Sequence, residues 1–201
     1  MIEVRPLQES DISAVVDLQR ACFPPPFPED LLWKPEHLRR HLRVFPDGQF
    51  VAIEGENLIA SCTNLIITES NWQAHRNWDE TVGSHFLNEH DSKGTTLYGV
   101  DISVHPNARM RGVARRLYEA RFRLVAERGL NRYGTAVRMP DFSTSGESSI
   151  HAYIRKVSAG ELTDRTLTPL LKLGCRATGV IENHMEDPES GNAAAILEWT
   201  P

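Results

Sequence analysis

Cysteine is scarce in this chain, and long apolar runs are absent. The three cysteines, Cys22, Cys62 and Cys175, are odd in number and irregularly spaced among 201 residues, which argues against a disulfide framework. No stretch of 18 apolar residues occurs, and residues 1–11 are charged without an apolar centre. The sequence therefore predicts neither a membrane span nor a signal peptide, and we expect a cytoplasmic protein without a membrane partner.

Two phosphate-binding motifs and the common zinc spacings are also missing. No G-x-x-x-x-G-K-[ST] string occurs, and no G-x-G-x-x-G follows a predicted strand, which argues against a P-loop or a Rossmann site. His75, His85 and His90 lie in the segment 69–94, but His85 and His90 lack the spacing of metal ligands. We expect no metal ion and interpret these histidines as surface or structural residues, with the wall of an acceptor pocket as the alternative.

Charge of one sign dominates only locally. The net charge is −5, yet residues 109–128 contain seven arginines and two glutamates, so this segment carries +5 and the remainder −10. A cationic segment in an acidic protein suits a compact anionic ligand, and the alternative is a solvated basic helix face. Nucleic-acid binding through this helix would require more basic surface than the chain offers, so we expect no nucleic-acid partner.

Hydrophobic periodicity predicts strands and helices arranged around one sheet. Strands are predicted at 2–4, 49–53, 58–67, 95–104, 133–137, 177–181 and 194–199. Helices are predicted after a cap at Ser10 or Asp11, and at 35–42, 111–128, 149–157 and 162–173, with Asp164 as an alternative cap for the last. Residues 69–94 are interpreted as a long connection with one helical piece. The units at 95–104, 111–128 and 133–137 form a β-α-β motif with parallel strands, and we expect one α/β or α+β domain over 1–201.

The most specific segment is 104–117, which reads VHPNARMRGVARRL. It predicts the end of a strand, a short loop and a helix that starts at a glycine. The first amides of a helix lack intrahelical partners and carry partial positive charge, so they suit a pyrophosphate. Gly112 lets the backbone approach the ligand, and Arg109, Arg111 and Arg115 can add charge-assisted hydrogen bonds to phosphate. An ordinary basic helix start is the alternative.

This segment resembles the acetyl-CoA motif of the GNAT superfamily, R-x-x-G-x-A, at Arg109, Gly112 and Ala114. More closely, the chain resembles GNAT domains that are joined to carbon–nitrogen hydrolase domains, although we expect no hydrolase domain here. The resembling stretches are LQRACFP at 18–24, FPDGQFVA at 45–52, TLYG at 96–99, LYEAR at 117–121, GEL at 160–162 and LEW at 197–199. The resemblance implies a mixed sheet of six to seven strands with helices on both faces.

The resemblance also implies a ligand and a reaction. Acetyl-CoA would be the co-substrate, and a primary amine of a small molecule or peptide would attack its thioester directly. The strand at 102–104 should separate from its neighbour and pair with the pantetheine arm, while the amides of 110–114 should hold the pyrophosphate. The residues assigned to the cofactor are Ile102, Ser103, Val104, Arg109, Met110, Arg111, Gly112, Val113, Ala114 and Arg115. A homodimer is left open.

The catalytic residues are less clear from the sequence. Asp101 is the candidate general base, because it lies on the strand nearest the expected thioester carbonyl, and the alternative is a carboxylate that fixes a neighbouring loop. In the family a tyrosine four residues before a glycine like Gly174 often protonates the leaving thiolate, but Leu170 occupies that position here. Tyr153 is the substitute candidate for the acid. The departure keeps open a second function, a non-catalytic module that binds acyl-CoA.

Overall fold

A seven-stranded mixed sheet runs through the protein. The computed structural model describes residues 1–25 and 27–201. The strands are β1 Ile2–Pro6, β2 Phe50–Glu54, β3 Asn57–Ile67, β4 Thr96–Val104, β5 Arg132–Val137, β6 Arg176–Ile181 and β7 Ala194–Trp199. Their order in the sheet is β1-β2-β3-β4-β5-β7-β6, and only β4 and β5 pair in parallel. The predicted mixed sheet is confirmed, including the parallel pair.

Helices cover both faces of this sheet. They are α1 Ile12–Cys22, α2 Pro35–Val44, α3 Glu69–Ala74, α4 Trp78–Val82, α5 Val113–Glu127, α6 Ile150–Ala159 and α7 Leu167–Lys172. Helices α1 to α4 pack with Val51 and Leu65 on one face, which we call the α1 face. Helices α5 to α7 pack with Leu97 and Leu197 on the other, the α5 face. None of the described helices is long and apolar enough to cross a lipid bilayer.

The predicted helices differ from the observed ones in one count and two starting residues, each for a local reason. The connection at 69–94 contains two short helices instead of one, because Asn77 caps α4 separately. Helix α5 begins at Val113 rather than at residue 111, since Gly112 adopts a positive φ of 77°. Helix α7 begins at Leu167 rather than at residue 162, because the Asp164 carboxylate accepts the amides of residues 166 and 167 at 2.8 Å.

Strand β4 contains a bulge that changes which side chains share a face. Residue 101 pairs with Thr63 and residue 99 with Asn64, so Val100 is an extra residue without an opposite partner on β3. The predicted strict alternation along 95–104 is therefore wrong. The bulge places the side chain of Asp101 on the α1 face, the same face as Val100 and Ser103.

The parallel pairing of β4 with β5 stops where this bulge begins. The last paired residues are Gly99 and Thr135, and the Thr135 hydroxyl donates to the Gly99 carbonyl at 2.9 Å. Beyond this point β5 continues its pairing with β7, while residues 100–104 of β4 have no strand on that side. The separation expected for 102–104 is observed, and it leaves an open backbone edge inside the sheet.

Gly99 is required at the last β4–β5 pair by close packing. A Cβ atom there would lie 2.1 Å from the Tyr133 hydroxyl oxygen. We predict that Gly99→Ala lowers the free energy of unfolding by about 1–3 kcal/mol through overpacking, measured by urea denaturation. Tyr133→Phe removes the nearest obstructing atom, so the double variant should lose less than the sum of the two single variants. Strictly additive losses would contradict this explanation.

Candidate active site

The open edge of β4 presents alternate backbone groups toward the gap beside β5. The amide of His105 donates to Ile59 on β3 at 2.9 Å, and backbone groups point to opposite sides of a strand at successive residues. The backbone N–H and C=O groups of residues 101 and 103 thus face β3, whereas the backbone groups of Ile102 and Val104 face the open edge. The Arg109 guanidinium donates to the Val104 carbonyl at 3.2 Å on that side.

The start of α5 supplies a second set of free backbone donors. Among the described residues, the amides of 110–115 have no hydrogen-bond partner of good geometry. Met110 and Gly112 have positive φ angles of 59° and 77°, a local conformation that turns successive N–H groups toward one concavity. A Cβ on Gly112 would meet nothing within 4 Å. This concavity is open, rich in donors and placed at the positive end of a helix dipole.

The three predicted phosphate-binding arginines lie around this helix start, and each already has a hydrogen-bond or ion-pair partner. Arg111 pairs with Glu54 at 2.6 Å, and Arg115 pairs with Glu119 at 2.9 Å. Exposed ion pairs of this kind contribute about 0–1 kcal/mol each. An incoming anion can therefore displace the carboxylates at small cost. Val113 differs from its neighbours because its buried side chain packs against the sheet, so only its amide is available.

Asp101 lies on the α1 face within a set of uncharged donors. Its Oδ2 accepts from Gln19 at 3.1 Å, from the Trp33 indole at 3.4 Å and from the Ser103 hydroxyl at 3.3 Å. Burial raises the pKa of this carboxyl above its ordinary value, although these donors and the Arg121 charge oppose the rise. A carboxylate of raised basicity is better matched to accepting a proton near neutral pH.

Sequence reasoning missed Gln19, Trp33 and Cys22 as neighbours of this carboxylate. Burial, followed by the negative charge of Asp101, raises the pKa of the Cys22 thiol to about 11. At neutral pH it is a thiol and not a nucleophilic thiolate. No pattern in the sequence relates these residues to position 101, because they are 68 or more positions away along the chain and only folding brings them against β4.

A cavity of about 400 Å³ opens beside Trp33. Its lining residues come from α1, from the segment between α1 and α2 and from the first residue of α2: Val16, Arg20, Glu29, Asp30, Leu32, Trp33, Lys34 and Pro35. Trp33 lines this cavity and also donates to Asp101, so it connects the two. The histidines of 69–94 are absent from its lining. His85 instead packs against Trp33 and Trp78.

The residues that the structure describes contain no cluster of metal-ligating side chains. No group of three or more His, Cys, Asp or Glu side chains is placed to hold a metal ion there. The closest histidine rings, His37 and His85, have centroids 4.9 Å apart. Burial and the neighbouring His85 both lower the pKa of His37.

Tyr153 lies apart from the other predicted site residues in its contacts. Its side chain is fully buried on the α5 face, and its hydroxyl donates to Asp164 Oδ2 at 2.9 Å. Burial and this carboxylate raise the pKa of the tyrosine well above its ordinary range. The arrangement favours a structural role, joining α6 to the start of α7, over that of an acid. Leu170 is likewise a buried core residue.

Comparisons with known proteins were consistent with one another. The model of the "Acetyltransferase (GNAT) family" matches residues 12–153. The chain is 33% identical over 199 residues to the uncharacterized N-acetyltransferase YkwB of Bacillus subtilis (strain 168), covering 98% of this chain and 88% of that protein. It is 32% identical to the probable hydrolase YhcX of the same organism, again over 98% of this chain but only 38% of that protein.

Two solved structures share the fold. The loading GNATL domain of CurA from Lyngbya majuscula superposes with a TM-score of 0.84 at 16% identity, covering 100% of this chain and 98% of that one. The GphF GNAT-like decarboxylase in complex with isobutyryl-CoA superposes with a TM-score of 0.77 at 21% identity, covering 98% of each chain. At these identities the similarity establishes the fold alone.

The buried Tyr153–Asp164 contact can be tested by removing one oxygen. We predict that Tyr153→Phe lowers the free energy of unfolding by about 1–3 kcal/mol, because a buried carboxylate oxygen loses a donor. The measurement is chemical denaturation at pH 7. Asp164 keeps its bonds to the amides of 166 and 167, so α7 should persist by circular dichroism. A variant with unchanged stability and greatly reduced activity would instead support Tyr153 as a catalytic acid.

Proposed function

Because the chain belongs to the GNAT acetyltransferase family, we propose that it transfers an acetyl group from acetyl-CoA to a primary amine. The observation that carries this proposal is the row of six unpaired amides at 110–115, next to the open edge of β4. A diphosphate and a peptide-like arm are the two groups that such a pair of features would bind. Both occur in coenzyme A.

The proposed binding mode uses mostly backbone atoms. The amides of 110–114 would hold the pyrophosphate, with Arg109, Arg111 and Arg115 adding charge. The pantetheine arm would pair with Ile102 and Val104 as an added strand. The Ser103 backbone faces β3 and its buried hydroxyl accepts from Gln19 at 2.8 Å, so its contribution would be to position Asp101. The acetyl group would then lie near the bulge at Val100.

The proposed reaction is direct attack by the amine. The amine would enter from the cavity beside Trp33, and Asp101 would accept a proton from it, directly or through water. The amine nitrogen would first form the C–N bond at the thioester carbonyl, and the amide of Ile102 would stabilise the resulting oxyanion. The C–S bond would break as this oxyanion collapses. CoA leaves as a thiolate. Since thiols have a pKa of about 8.5, water can protonate this leaving group without a dedicated acid.

A second function, acyl-CoA binding without turnover, is favoured by one observation. Leu170 occupies the position where a family acid is often found, and Tyr153 is engaged with Asp164. Thiol release from acetyl-CoA across a panel of small and peptide amines separates the two functions. Binding of CoA without thiol release would support the binding module. Absence of any CoA affinity would overturn both.

The cofactor site can be tested with a matched pair of glycines that flank α5, one before its start and one after its end. Gly112 and Gly129 both have positive φ angles, and a Cβ at either meets nothing within 4 Å. We predict that Gly112→Ala weakens CoA binding about tenfold or more, because the added methyl would meet the pyrophosphate, whereas Gly129→Ala leaves the Kd unchanged. Both should lose a similar stability of about 1–2 kcal/mol. Calorimetric titration and thermal unfolding measure these quantities, and equal Kd values would count against the site.

The role of Asp101 predicts opposite effects on activity and stability. Asp101→Asn should lower kcat about 10²-fold or more, and the acidic limb of the wild-type kcat/KM profile should lie above the ordinary carboxyl value of about 4. Because the folded-state pKa is raised, this group stabilises the fold below its unfolded pKa and loses that contribution as pH rises through the folded value. Asp101→Asn should therefore raise Tm at pH 7, with the gain disappearing toward pH 4.

A further inference from the structure

Arg121 is a buried arginine in the middle of α5, with 1% of its surface exposed. Its guanidinium donates to the backbone carbonyl of Asp101 at 2.5 Å, to that of Thr63 at 3.3 Å and to the Tyr133 hydroxyl at 3.2 Å. It also lies 5.0 Å from the centroid of the Tyr118 ring. The two carbonyls belong to the β3–β4 pair next to the bulge. Arg121 therefore contacts the sheet where the open edge begins.

This charge is buried without an ion pair. Among the described residues, no carboxylate oxygen lies within 4 Å of the Arg121 guanidinium, and its Nε has no hydrogen-bond partner. The nearby ionisable groups within the core, which include Cys62 and Tyr133, are uncharged at neutral pH because burial raises their pKa values. Burying an unpaired charge is costly. An apolar residue would fill a core position more cheaply, so the cation suggests a task beyond packing.

The geometry of one peptide unit indicates that task. In a trans peptide the carbonyl and the following amide point in opposite directions. Because Arg121 and β3 hold the Asp101 carbonyl, the amide of Ile102 points toward the open edge. The Asp101 side chain, meanwhile, lies on the α1 face against Gln19. A single cation thus contacts the residue that carries both the proposed base and the proposed oxyanion donor.

We propose that Arg121 is a positioning residue for acetyl transfer: it holds the peptide between Asp101 and Ile102 from the α5 face and supplies a buried positive charge on the opposite side of the strand from the Asp101 carboxylate. This inference rests on the proposed function. The charged or ionisable groups coupled to Asp101 are Arg121 from α5, Cys22 from α1 and Cys62 from β3, whereas Arg109, on the loop before α5, acts on Cys22. Of these, Arg121 is the buried cation, so solvent screens it least.

Two substitutions separate the charge from the hydrogen bonds. Arg121→Gln removes the charge, and Arg121→Lys keeps it but cannot bond both carbonyls in the same fork geometry. Arg123→Gln is the matched control, since Arg123 is exposed on the same helix. We expect Arg121→Gln to lower kcat at least tenfold, with the Kd for CoA within threefold of wild type, and to move the acidic limb of the rate profile to higher pH. Arg121→Lys should lower kcat about three- to tenfold and leave the limb in place.

The resting protein provides a readout that needs no turnover. In ¹³C spectra, with the signal assigned by Asp101→Asn, the carboxyl pKa should rise by about 0.5 or more in Arg121→Gln and stay unchanged in Arg123→Gln. The Ile102 amide should shift in Arg121→Lys. If the wild type acetylates no amine, the proposed function fails, and these spectra still test Arg121.

Either of two results would overturn the inference. One is a folded Arg121→Gln protein whose carboxyl titration and kcat match those of the wild type. The other applies if Arg121→Gln fails to fold. An Arg121→Lys protein with wild-type kcat and an unshifted Ile102 amide signal would show that the hydrogen bonds from Arg121 are not needed to position this peptide.

Discussion

The site depends on a single interruption of backbone pairing. Two parallel strands, β4 and β5, share hydrogen bonds only up to Gly99 and Thr135. Backbone groups inside a sheet are normally paired, because a buried unpaired N–H or C=O costs free energy. An internal edge with unpaired groups is therefore either solvated or reserved for a ligand. Here the bulge at Val100 and the tight contact of Gly99 with Tyr133 fix where that edge begins.

At this interruption the two faces of the sheet contact different parts of Asp101, its side chain on one face and its backbone carbonyl on the other. The α1 face supplies Gln19 and Trp33, which hold the Asp101 carboxylate with uncharged donors. The α5 face supplies a buried cation, Arg121, which holds the backbone of the same residue. A carboxylate surrounded by neutral donors stays more basic than one in an ion pair. The Asp101 carboxylate and the Arg121 guanidinium thus lie on opposite faces of one strand and form no direct ion pair.

Affinity for an anionic ligand follows from a different source, the local concentration of donors in an acidic protein. The chain carries −5 overall, but the start of α5 combines free amides with exposed arginines. The ion pairs of Arg111 with Glu54 and of Arg115 with Glu119 satisfy these cations in the absence of ligand. Because both pairs are exposed and weak, they offer little competition to a diphosphate. The acceptor side differs, since the cavity beside Trp33 is lined by residues of both charges.

The sequence by itself determined the sheet, the β-α-β unit and the residues at the start of α5. These features are local: periodicity over ten residues predicts a strand or helix, and a glycine after a strand predicts where amides are left free. The sequence also makes Asp101 the candidate general base, because of its place on the strand and not because of its surroundings. That role stays a prediction. The predicted helix starts at 111 and 162 were wrong. The observed starts are decided by the backbone angle of Gly112 and by the side chain of Asp164, which the sequence offered as an alternative cap.

Only the tertiary structure decided the surroundings of Asp101. The bulge at Val100 turns that side chain to the α1 face, which strict alternation had not predicted. Gln19 and Arg121 reach the same residue from opposite faces, and Tyr153 turns to Asp164. Such contacts join positions far apart in the chain, and their geometry depends on how strands pair and helices pack. A pattern of neighbouring residues does not specify those distances, so the proposed base, its donors and the buried arginine are recognised as one site only in the folded chain.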